Sequence, residues 1–126
     1  MKTRTPQLIR LAVIVAVALM FAALPKAHAQ LQKTQPAAGE TVSTSPPRIQ
    51  LWFDEEVDLK VSKIDLTGPS GKVALGPTRS ADPKSLTAAI TGKLADATYT
   101  VNWHTVPADD GHATKGDFKF TLKQAH

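Results

Sequence analysis

The sequence predicts an all-β domain, an immunoglobulin-like antiparallel sandwich or Greek-key barrel of about seven strands. Three observations carry that reading. Short segments alternate apolar and polar residues with a period of two, Gly- and Pro-rich turn signals separate them, and no segment sustains a helical period. In "RIQLWFDEEV", Ile49, Leu51 and Phe53 fall on one side while Gln50, Trp52 and Asp54 fall on the other. The same alternation recurs in Ser62-Ile64-Leu66, Leu86-Ala88-Ile90, Tyr99-Val101-Trp103 and Phe118-Phe120-Leu122. "PAAGE", "STSPPR", "TGPSGK", "LGPTRSADPKS", "LADA" and "ADDGH" supply the turns. Tyr99 and Trp103 share the face of Val101 and read as core aromatics, whereas Trp52 alternates away from Leu51 and Phe53. Because proline cannot donate to a central ladder, "TSPPR" reads as a loop that precedes an edge strand.

The chain opens on a basic segment, MKTRTPQLIR, followed by 14 apolar residues from Leu11 to Leu24 and the small-residue stretch PKAHA. That is the layout of a secretory signal peptide, and the run is too short for a retained span, which needs ~20 apolar residues. Residues 1–27 are therefore expected to be a cleaved leader and residues 28–126 one exported mature domain. The leader holds four of the 15 basic side chains and no acid, so the remaining 11 basic and 11 acidic side chains cancel. The sequence pI of about 9.5 thus belongs mostly to the leader. No basic stripe for phosphates survives, which removes nucleic acid as a partner.

About a hundred residues suffice for one core and not for two. There is no cysteine, so the stability of an exported domain must come from packing. Both methionines, Met1 and Met20, lie in the leader. The mature chain thus has neither thiolate nor thioether, and any metal it holds must be bound by nitrogen and oxygen, which disfavours Cu(I).

Four histidines are present: His28, His104, His112 and His126. His126 ends the chain. His104 follows Trp103 in a strand and should point to the opposite, solvated face. In Asp109-Asp110-Gly111-His112, the glycine permits a tight turn that can bring the Asp110 carboxylate and the His112 imidazole together, although "DDG" alone is an ordinary turn. Cleavage after Ala27 makes His28 the first mature residue, with a free α-amine beside its imidazole. Cleavage after Ala29, which Ala27-His28-Ala29 also fits, leaves Gln30 first. An amine, two imidazoles and a carboxylate suit tetragonal Cu(II), which leads the divalent affinity order.

"HAQLQKTQPAAGETV", "IQLWFDEEV" and "YTVNWHTVPADDGHATKGDFKFTL" together resemble the CopC family of periplasmic copper-binding proteins over nearly the whole mature chain. The strongest elements are a histidine eight residues before Pro36 of the "PAAG" turn, and a late "DGH" followed by G-x-F-x-F. The resemblance implies an immunoglobulin-like barrel that binds Cu(II) through His28, Asp110 and His112, with His28 first in the mature chain. It also implies a monomeric, non-enzymatic copper carrier or buffer acting in copper resistance or uptake, with an inner-membrane copper transport protein of the CopD type as partner. The methionine-rich Cu(I) site of some members does not carry over. Two departures stand out: His104 occupies a position where the family commonly has arginine, and Asp109 adds an acid before the motif. Two other readings are a copper mono-oxygenase-like enzyme, which the absence of an extended aromatic face argues against, and a metal-free immunoglobulin-like interaction module.

Overall fold

The computed structural model describes residues 29–108 and 112–125. These form eight strands, β1 (Leu31–Gln35), β2 (Thr41–Val42), β3 (Arg48–Phe53), β4 (Lys63–Gly68), β5 (Gly71–Val73), β6 (Ser85–Ala89), β7 (Ala97–Thr105) and β8 (Thr114–Leu122), with one short 3-10 turn at Leu59–Val61. One sheet has the order β1-β3-β6 and the other β2-β8-β7-β4-β5. The fold is the β-sandwich that the alternation predicts. Each predicted alternating segment lies in a strand apart from its ends, and its apolar set faces inward: Ile49, Leu51 and Phe53 from β3, Ile64 and Leu66 from β4, Leu86 and Ala88 from β6, Tyr99, Val101 and Trp103 from β7, and Phe118, Phe120 and Leu122 from β8.

Two expectations change. The strand after the prolines is not an edge strand but the centre of its sheet, paired with β1 and β6. The prolines do not weaken it, because Pro46 and Pro47 precede its first ladder residue, and the Pro47 carbonyl accepts the Ile90 N–H at 2.9 Å. Nor is the pairing antiparallel throughout, since β2 runs parallel to β8.

The edge of β6 is covered rather than left open. Leu75 and Arg79 bridge to Ile90 and Thr87, and Gly76 donates its N–H to the Ala89 carbonyl at 2.8 Å, so the β5–β6 connection closes this side. Covered edges resist pairing with other chains. At one end Tyr99 stacks on Phe120 with centroids 5.6 Å apart, and its hydroxyl donates to the Ala95 carbonyl at 2.6 Å. That is the tyrosine corner of immunoglobulin-like sandwiches. At the other end Phe53 meets Trp103 edge to face at 5.2 Å. Trp52 lies half-buried on the outer face, with the Lys33 Nζ 4.9 Å from its ring centroid, a cation–π contact.

Candidate metal centre

The β7–β8 ladder runs from Ala97↔Leu122 to Thr105↔Thr114, so residues 106–113 connect the two longest strands at the Trp103 end. The near side of this connection is fastened to the segment after β3. Asp58 donates its N–H to the Val106 carbonyl at 2.8 Å, Ala108 donates to the Glu56 carbonyl at 3.1 Å, and Val57 bridges Pro107. The hydroxyls of Ser62 and Thr105, both buried, lie 2.7 Å apart, and Ser62 also donates to the Asp58 carbonyl at 2.6 Å. The far side is fixed by β8 itself. The backbone is therefore held on both flanks of residues 109–111.

Of the sequence-predicted ligands, His28 and Asp110 lie outside the described residues, as does Asp109, while His112 is exposed two residues before β8. Among the described residues, no three His, Cys, Asp or Glu side chains form a metal-holding group. The residues beside the predicted ligands are nevertheless in place. Ala29, the neighbour of His28, is fully buried. It shares one shallow hollow with Ala113, the neighbour of His112; residues 29–31 form one wall, and Trp103, Ala113, Thr114 and Lys115 the other. Two segments 84 positions apart in the chain thus meet at one spot.

Gln30 is anchored here by Asp54. Gln30 donates its backbone N–H to Asp54 Oδ1 at 2.7 Å, and Asp54 returns its own N–H to the Gln30 carbonyl at 3.0 Å. The other carboxylate oxygen is buried. Sequence reasoning passed over this residue, because period-two alternation put it on the solvent face with Trp52. The one available signal was its place at the end of β3, where an acid can turn toward a neighbouring amide.

His104 lies elsewhere. It is exposed on the outer face of β7, opposite Trp103, with Lys63 and Lys115 as its cross-strand neighbours. Lys63 is itself paired with Asp65 at 3.8 Å, and the Asp65 and Asp117 carboxylates share the hollow that His104 lines.

The fold and this end of it can be set beside known proteins. The model of the CopC domain matches residues 31–123. The chain belongs to the CopC family. Protein YobA of Escherichia coli (strain K12) is 38% identical over 100 residues, covering 77% of this chain and 80% of its own. Copper resistance protein C of Escherichia coli is 34% identical over 106 residues, covering 77% and 82%. Among solved structures, PcoC, a methionine-rich copper resistance protein from Escherichia coli, superposes with a TM-score of 0.69 at 35% identity, covering 77% of this chain and all of that one. CopC from Methylosinus trichosporium OB3b gives 0.71 at 26%, covering 79% and 97%. This CopC chain differs from the methionine-rich member in having no methionine after Met20.

Proposed function

We propose that residues 28–126, freed of the leader in the periplasm, bind one Cu(II) ion through the α-amine and imidazole of His28, the Asp110 carboxylate and the His112 imidazole, and act as a non-enzymatic copper carrier or buffer. The observation that supports this most is the shared hollow of Ala29 and Ala113, which brings the neighbours of His28 and His112 together. The chemistry of the donors agrees with it. Amine, imidazole and carboxylate favour Cu(II), and a chain without thiolate or thioether holds Cu(I) poorly, so reduction promotes release. A monomer that releases its ion on reduction suits delivery to an inner-membrane transport protein of the CopD type. The copper resistance proteins among its relatives support the same cargo.

Copper(II) titration of the exported protein, read by paramagnetic resonance, tests the reading. One tetragonal, nitrogen-rich site that His112→Ala abolishes is the expected result. Two equivalent sites, or normal binding by that variant, would refute it.

A further inference from the structure

The outer face of the smaller sheet carries a cluster that copper binding does not use. Residues directly opposite each other in a ladder project from the same side of the sheet. Trp52 stands opposite Lys33 of β1, and Arg48 shares its side of β3, four residues earlier. Gln50, between them, stands opposite Thr87, and Thr87 is bridged to Arg79 by two backbone hydrogen bonds of 2.7 and 2.8 Å. Lys33, Arg48 and Arg79 therefore project from one face with the Trp52 indole. All three cations are exposed, and Trp52 is half-buried with the Lys33 Nζ over its ring. The other outward positions of these ladders hold glutamine, serine, threonine or alanine, and none is acidic. Asp54 and Asp82 lie beyond the ladders, at their metal end, where each accepts a backbone N–H.

Residues 28–126 carry equal numbers of basic and acidic side chains, yet this face is one-sided. The outer face of the larger sheet mixes signs, with Lys63, Lys115 and Lys119 beside Asp65 and Asp117. Because the three cations of the smaller sheet come from separate segments, no basic run announces them in the sequence. Basic side chains are drawn to the phosphates of an anionic bilayer, and an indole favours the headgroup level. We propose that the outer face of the β1-β3-β6 sheet docks the exported domain on an anionic lipid surface, with Lys33, Arg48 and Arg79 on the phosphates and Trp52 among the headgroups. The candidate metal centre lies at the end of the sandwich and is left uncovered beside the bilayer. Its use there in delivering copper to a membrane protein rests on the Cu(II) reading above; the docking face itself does not.

The test uses the exported chain freed of its leader, because the apolar run from Leu11 to Leu24 would bind lipid by itself. Vesicles of phosphatidylglycerol and phosphatidylcholine in equal parts should sediment the protein at low salt, and vesicles of phosphatidylcholine alone should not. Added salt should release it, since the charges involved are exposed. Tryptophan emission should shift to the blue on binding, and Trp52→Phe should remove the shift, as Trp103 is already in the core. Lys33→Gln, Arg48→Gln and Arg79→Gln should each weaken binding by roughly fivefold, the worth of one basic residue at such a surface. Lys63→Gln and Lys119→Gln, on the outer face of the other sheet, should bind as the parent does. No binding to the anionic vesicles, equal binding to the neutral ones, or equal weakening by changes on either face would overturn the proposal. Vesicle binding by a protein that takes up no Cu(II) would uphold the docking face and sink the copper reading.

Discussion

The backbone N–H of Gln30 is held by the Asp54 carboxylate at 2.7 Å, and this bond ties the start of the domain to the end of its central strand. His28, the proposed ligand, stands two positions before this anchored amide in the chain.

Asp54→Ala should therefore weaken Cu(II) binding by roughly 10- to 100-fold, the usual cost of losing a group that orients metal ligands. The apo protein should lose about 1.5–3 kcal/mol, the net worth of a hydrogen bond to a charged group. Competition titration and apo melting curves separate the two effects. A large apo destabilisation with unchanged affinity would show that Asp54 serves the fold alone.

How far the sequence reveals this arrangement depends on strand length. β3, β4, β6, β7 and β8 were legible because each shows at least one full apolar–polar alternation with large inward residues. β1, β2 and β5 were not. β1 has a bulge between Leu31 and Lys33 and an irregular burial pattern, while β2 and β5 have two and three residues, too few to display a period. Of the candidate site, "DGH" and the histidine near the leader boundary are readable as residues. The meeting of their neighbours Ala29 and Ala113 in one hollow is not, because no local pattern encodes it. Asp54 was missed because alternation governs side-chain direction only inside the ladder, and β3 ends at Phe53.

Gly116→Ala should destabilise the domain. A methyl group at this position would lie 2.7 Å from the Trp103 ring, so the indole, packed against Phe53, would have to move. Overpacking of this kind costs ~1–3 kcal/mol. For a domain of this size, thermal unfolding should show a midpoint lowered by at least ~4 °C. An unchanged midpoint would mean that the barrel end is looser than its packing indicates.

His104→Ala should leave Cu(II) binding unaltered. The imidazole is exposed on the outer face between Lys63 and Lys115, on the side of β7 opposite the Trp103 ring. The change in stability should stay within about 0.5 kcal/mol, as for other surface substitutions. Loss of copper binding in this variant would place His104 in the site and overturn the ligand set of His28, Asp110 and His112.

Copper affinity should fall as the solution is acidified below roughly pH 6, because imidazole and amine ligands must shed protons before they bind a metal. The fold, held by its packed apolar core, should persist there. Titrations at several pH values, paired with circular dichroism, follow both. Affinity that stays flat across this range would exclude imidazole and amine ligation.

The central claim is that His28, as the first residue, supplies two of the ligands. It is tested most directly by the copper-induced shift in melting temperature of two proteins of verified mass, one beginning at His28 and one at Gln30. Cu(II) at a hundredfold excess over the dissociation constant should stabilise the His28-first protein by about 2.7 kcal/mol, a shift of roughly 10 °C or more. The Gln30-first protein, left with Asp110 and His112, should scarcely shift. Equal shifts in the two proteins would contradict the assignment.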